Sequence, residues 1–233
     1  MPPVRTATLG DYSFDRIGLG TNRLTDTPEN HEFLRGAVGA GLRFIDTAHL
    51  YSGGDSEHAI GAALAPFQDD LVVATKGGYR PGSGRPDRLR AELEESFERL
   101  RTDTITLYYL HRVDPEVPLE ESLAVLREYH DAGRIEHVGV SDVSVHQIER
   151  ARAVVPIAAV QNQYNLAERK YEDVVDHCER EGLLFVPYYP LHGPGSSEDK
   201  LAWLLERSPC IVPIPGTLSL DHLEANLAVL DAA

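Results

Sequence analysis

Cysteine is nearly absent from this chain: Cys178 and Cys210 are the only two in 233 residues. One falls in an expected helix and the other at the start of an expected strand. Buried free thiols are therefore the expectation, and no metal-ligand spacing is present. Tryptophan is scarcer still, with Trp203 alone, on an expected helix, so no indole is left to wall a ligand pocket. Basic residues are in deficit. Against 37 Asp and Glu stand 22 Lys and Arg, a net charge of −15. That balance argues against nucleic acid as a partner, and any anionic ligand must be held by local groups against the field of the whole chain. No apolar run approaches membrane-spanning length, and the start, MPPVRTATLG, lacks the apolar core of a signal peptide. A cytoplasmic location, with no membrane partner, is the expectation.

What is present is an alternation. Apolar residues make up 42% of the chain, enough for a sizeable core. VRTATLG and YSFDR read as a two-stranded hairpin with Gly10-Asp11 near its turn. Strand-like segments follow at DRIGLGT, RFIDTA, LVVATKG, ITLYYLH, HVGVSD, AAVQNQY, LLFVPYYPL and IVPIPGT. Helical patterns separate them. Thr27 is an N-cap candidate before Pro28, and that helix runs out at Gly39 and Gly41. Leu89, Leu93, Phe97 and Leu100 recur behind Pro86, and Leu119, Leu123 and Leu126 behind Pro118. Ser219 is a cap candidate for a last stripe of Leu223, Leu227 and Leu230. An open doubly wound sheet would carry a phosphate fingerprint after its first strand, and GLGTNRL is not GxGxxG. The expected fold is α/β: a single (β/α)8 TIM barrel with an N-terminal β-hairpin, one domain over residues 1–233.

Strand parity then gathers polar heads at one rim. Asp46 shares a face with Phe44, Lys76 with Val72 and Ala74, and His111 with Leu107 and Tyr109. Tyr51 follows Asp46 closely. Right-handed crossovers place all these strand ends on one face, where barrel active sites lie. Singly, Asp46 could cap a turn, Tyr51 pack a loop, and His111 bond a backbone carbonyl. A lysine ending a VVAT strand is costlier to place without a partner. Together they form an acid catalyst with its tuning groups: Lys76 would make the Tyr51 phenol more acidic, and Asp46 would hold Lys76 charged. Such a set suits protonation of an oxyanion as hydride reaches a carbonyl carbon.

The segments RIGLGTNRL, FIDTAHLYSGGDSEHAIGAAL, LVVATKGG, LYYLHRVDPEVPLEESL, GRIEHVGVSD and VPIPGTLSLDHLEANLA resemble the aldo-keto reductase superfamily, and most of all its short bacterial branch similar to pyridoxal reductase. The resemblance runs over nearly the whole chain. It implies NADPH-dependent reduction of a small-molecule aldehyde or ketone, with Asp46, Tyr51, Lys76 and His111 as the tetrad and tyrosine as general acid. It also implies a cofactor site. Gly20, Thr21 and Asn22 would lie beside the nicotinamide, and Ser141, Asp142 and Gln161 near its carboxamide. Tyr188 would stack under the ring, Pro213, Gly216 and Thr217 would carry the phosphates, and His222 and Asn226 would meet the adenosine end.

The chain also departs from the family pattern. Asp142 stands where asparagine is usual, Gly216 where lysine is frequent, His222 where arginine is frequent, and Ala225 where glutamate is common. The grip on a 2′-phosphate is expected to be weaker, so NADH is a possible second cofactor. The connection around LHGPGSSEDK is shorter than the segment that covers the pyrophosphate in relatives, and the sequence ends soon after the last helix. An open site is the expectation, with Tyr79 and Asn22 as candidate walls. Two further readings stay open at this point: a non-redox dehydratase or lyase using Tyr51 and His111, and a non-catalytic binding subunit. Substrate identity and oligomeric state are left open.

Overall fold

The structure is a computed structural model that describes residues 4–232. Strands β1 (Thr6–Leu9) and β2 (Tyr12–Asp15) pair antiparallel, with Gly10 in the left-handed region at the turn. Seven parallel strands then follow in sequence order: β3 (Leu19–Gly20), β4 (Phe44–Asp46), β5 (Val72–Gly77), β6 (Ile105–Leu110), β7 (Ile135–Ser141), β8 (Ile157–Gln161) and β9 (Leu184–Phe185). The expected eighth strand is reduced to bridges, Phe185 to Ile211 on one side and Gly20 to Gly216 on the other, which close the barrel. The reason is chemical. Pro213 and Pro215 have no N–H, so this segment can only accept on that side, which it does from Gly18 and Gly20.

Among the described residues, eight α-helices surround the sheet: α1 (Pro28–Gly39), α2 (Asp55–Leu64), α3 (Pro86–Leu100), α4 (Leu119–Asp131), α5 (Val145–Arg152), α6 (Glu172–Glu181), α7 (Ser197–Arg207) and α8 (Leu220–Ala232). Their starts follow the sequence signals. The Thr27 side chain accepts from Asn30 N, Pro86 opens α3, and the Ser219 hydroxyl accepts from His222 N. Leu89, Leu93, Phe97 and Leu100 are all buried against the barrel. Trp203 on α7 stacks on Tyr164 and packs, partly buried, against the core.

Strand parity divides the core in two. Phe44, Val72, Ala74, Leu107, Tyr109, Ala159 and Val212 fill the barrel interior, where Leu9 and Phe14 of the hairpin plug one end. Ile45, Val73, Tyr108, Leu110, Val140 and Val160 face outward to the helices. Both faces of β4, β5 and β6 are buried throughout, as a parallel sheet requires. The plug seals the end where strands start. The end where strands finish stays open, and there the polar residues collect.

Candidate active site

Asp46 ends β4 and Lys76 lies near the end of β5, both on the interior face; each is almost fully buried, at 1% and 0% exposed. A charge so placed demands partners. The Lys76 ammonium has three: Asp46 Oδ1 at 2.6 Å, the Thr47 carbonyl at 2.6 Å and Tyr51 Oη at 3.4 Å. The second Asp46 oxygen accepts from Gln161 Nε2 at 2.8 Å. Burial pulls the lysine down, but Asp46 and Tyr51 overcome it and hold the ammonium charged.

Tyr51 reaches the pair through a sharp turn. Ser52, Gly53 and Gly54 have φ of 50°, 71° and 106°, a left-handed run that two glycines make cheap. The turn folds Tyr51 back over Lys76, whose Nζ lies 4.9 Å from the phenol ring centre. Burial raises the Tyr51 pKa, and Lys76 opposes the rise without cancelling it. The phenol is therefore a weaker acid than usual at rest, where the sequence led us to expect a stronger one. His111 follows β6 and continues the ladder by donating from its backbone N to the Gly77 carbonyl. Its ring meets Tyr51 edge-on at 6.1 Å. Burial, with Lys76 and Arg112 adding to it, pushes the imidazole well below its usual pKa, so it is neutral. Its Nδ1 is buried without a partner.

These groups meet a cleft of about 780 Å³ at the open end of the barrel. Asp46, Tyr51 and His111 line it, whereas Lys76 lies behind them. Gly20, Thr21, Asn22 and Gly216 form one wall; Ser141, Asp142, Gln161 and Tyr188 form the facing one. Two of these polar groups have structural work as well. Thr21 Oγ1 donates to the Asp46 carbonyl and accepts from Ser56 Oγ, and the Gln161 nitrogen is committed to Asp46. The Tyr188 hydroxyl donates to Asp142 at 2.8 Å. Pro213, Thr217, His222 and Asn226 are not on the cleft wall. Pro213 accepts from Gly18, Thr217 and Ser219 form the turn into α8, His222 is exposed, and Asn226 is buried on α8.

Tyr79 and Asn22 do line the cleft as expected, and three further residues join them that the sequence reading passed over. Arg23 lies on the wall, with Nη2 donating to the Gly216 carbonyl at 3.3 Å. Arg112 sits over the Tyr79 ring at 4.7 Å. Tyr189, with φ of 52°, stacks in parallel on His192 at the mouth. The signal for the two arginines was their adjacency to Asn22 and His111; nothing in the sequence marked Tyr189. Among the described residues no helix is long and apolar enough to cross a membrane.

Comparison with known proteins gives the family and the fold. Residues 16–201 match the model of the aldo/keto reductase family. An uncharacterised oxidoreductase of Schizosaccharomyces pombe is 37% identical over 95% of this chain and 83% of its own length. Pyridoxine 4-dehydrogenase of Escherichia coli is 32% identical over 96% of this chain and 92% of its own. The crystal structure of an aldo-keto reductase from Klebsiella pneumoniae in complex with NADPH superposes with a TM-score of 0.85, at 27% identity, covering 99% of this chain and 90% of that one. The chain belongs to the aldo/keto reductase family.

Proposed function

We propose that this protein reduces the carbonyl group of a small aldehyde or ketone with NADPH, and that Tyr51 delivers the proton. The observation that carries the reading is the saturation of Lys76. An ammonium has three N–H groups, and here they face Asp46, the Thr47 carbonyl and Tyr51 Oη. Tyr51 Oη therefore accepts from Lys76, and its own proton is free to point toward the cleft that Tyr51 lines.

The residues present fit a nicotinamide dinucleotide. The Tyr188 ring offers a flat apolar face, Asn22 and Ser141 offer an amide and a hydroxyl, and Arg23 offers a cation beside the strand-eight turn. Arg23 approaches the place where Gly216 leaves no side chain. When bound, the reduced nicotinamide supplies a hydride to the carbonyl carbon. Tyr51 then holds the proton that the carbonyl oxygen needs as charge develops on it. Lys76 stabilises the phenolate left behind, and Asp46 keeps Lys76 charged and in place. His111, neutral and with its Nδ1 sequestered, has Nε2 left to orient the same oxygen.

Tyr51→Phe keeps the ring and removes the proton. It should bind NADPH as the parent protein does, by fluorescence titration, while reduction of a small aldehyde falls by roughly 10²–10⁴. A variant as fast as the parent overturns the role of Tyr51. A parent protein that oxidises no NADPH with any of a panel of aldehydes and ketones overturns the reductase reading itself.

A further inference from the structure

We infer that Arg112 anchors an acidic group of the substrate, so that the preferred substrates are short carbonyl compounds that also carry a carboxylate. This rests on the carbonyl-reductase reading and names the substrate class within it.

Arg112 is the residue after His111, on the cleft wall. Two contacts fix it there. Its guanidinium lies 4.7 Å over the Tyr79 ring, and Nη2 donates to Asp142 Oδ2 at 3.2 Å. Asp142 is fixed in turn, because Oδ1 accepts from the Tyr188 hydroxyl at 2.8 Å. The departure at position 142 thereby acquires a reason. Two donors converge on it, and a carboxylate accepts at both oxygens, whereas an asparagine would turn an NH2 toward one of them. Asp142 is a positioning residue for Arg112.

A guanidinium has five N–H donors in a rigid fork, and only one is directed to Asp142. The side chain is 47% exposed, so the rest remain open to a ligand. The acids of the cleft wall do not compete for them. Asp46 is spent on Lys76 and Gln161, and Asp142 on Arg112 and Tyr188. In a chain of net charge −15, the cleft thus presents fixed cations, Arg23 on the dinucleotide side and Arg112 beside His111. The spacing sets the size of the substrate. The His111 and Tyr79 ring centres are 4.8 Å apart, so imidazole and guanidinium are no more than two stacking distances apart. A carbonyl oxygen at His111 and a carboxylate at Arg112 are then bridged by one aromatic ring or a few carbons. The exposed Tyr79 ring, in contact with both, offers an apolar surface beside them.

The test compares 4-carboxybenzaldehyde with 4-methylbenzaldehyde, with NADPH, on the parent protein and on Arg112→Gln, Arg112→Lys and Asp142→Asn. The parent should favour the acid through KM. Arg112→Gln should raise KM for the acid by roughly tenfold to a hundredfold, as loss of a charge-assisted pair does, and reduce the preference by that factor. Arg112→Lys should recover part of it, and Asp142→Asn should lose part of it. A preference that is absent in the parent, or unchanged in Arg112→Gln with NADPH binding intact, overturns the anchor. If the parent reduces neither these two nor any of the wider panel of aldehydes and ketones, the reductase reading fails on its own. The anchor is then read by calorimetry with terephthalate on the protein and on Arg112→Gln: weaker binding to the variant supports it, and equal binding overturns it.

Discussion

Tyrosine is a weak acid, and burial makes Tyr51 weaker still, since the phenolate loses more from desolvation than the phenol does. Lys76 opposes that loss, and in the proposed reduction it would act most as charge appears on Oη. The pH dependence of reduction follows with its sign. Tyr51 is raised above its usual 10.0, so it keeps its proton through the neutral range, and loss of activity belongs on the alkaline side of 10.0. His111 is lowered well below 6.5, so it stays neutral on descending through 6.5. The kcat/KM for reduction should therefore be flat between pH 6.5 and 10.0; a break near 6.5 in a pH–rate series would show His111 titrating as an ordinary imidazole. Breaking the ion pair has a second consequence. Lys76→Met leaves Asp46 buried without its counter-charge, and urea unfolding should show a loss of about 3–5 kcal/mol, whereas Asp46→Asn with Lys76 kept loses the mirror-image charge. At this scale the sequence was informative wherever a side chain's direction followed from strand parity, as for Asp46, Lys76 and His111. It was silent where direction is set by a loop. Arg112 and Tyr189 are placed by stacking on residues far from any pattern, and the balance between burial and Lys76 at Tyr51 depends on how much solvent the turn excludes.

The elements were legible to the extent that each carries its own local chemistry. Caps at Thr27 and Ser219, prolines at the starts of α1 and α3, and leucine stripes on α3 and α4 all specify their helices without help from the rest. Strand eight was less legible, because VPIPG has the composition of a strand and lacks the donors of one. It is held by groups elsewhere, and one of them is Arg16. This guanidinium is fully buried, and among the described residues no carboxylate pairs with it. It donates to the carbonyls of Val4, Leu205, Ser208 and Ile211, tying the approach to β3, the end of α7 and the start of the strand-eight segment together. Burial lowers its pKa, and the negative end of the α7 dipole offsets part of the cost. Arg16→Met fills the space and takes the guanidinium donors from those carbonyls, of which that of Ser208 keeps Ile211 N. Chemical denaturation should show a loss of roughly 2–4 kcal/mol, with kcat little changed in the protein that remains folded, because the clamp is remote from the cleft. A loss under 0.5 kcal/mol, within the range of an ordinary surface change, would mean that water or repacking satisfies the carbonyls instead.

Over the whole molecule, a chain of net charge −15 repels a dinucleotide phosphate at long range and must hold it by contacts at one end of the barrel. The segment that could close over such a ligand has little freedom to do so. At one end, the Tyr189 ring stacks on His192, His192 N donates to the Tyr189 carbonyl, and that carbonyl also accepts from Asn165. At the other, Ser196 and Asp199 form a capping box that fixes the start of α7. Between them Gly193 and Gly195 occupy left-handed conformations, and a Cβ on Gly193 would sit 3.0 Å from Leu166. A loop pinned at both ends over so few residues cannot swing across the cleft as a long lid does. NADPH should therefore enter and leave without a slow closing step, and its affinity should rest on Arg23, Asn22, Tyr188 and the strand-eight turn. Stopped-flow fluorescence should show a single phase whose rate rises linearly with NADPH concentration. Replacing His192 by alanine frees one pin and should leave that single phase in place, since there is no closure for it to gate. A second, slower phase that saturates with concentration in the parent protein would show that some segment does close over the bound dinucleotide, and the pinned-loop account would have to be abandoned.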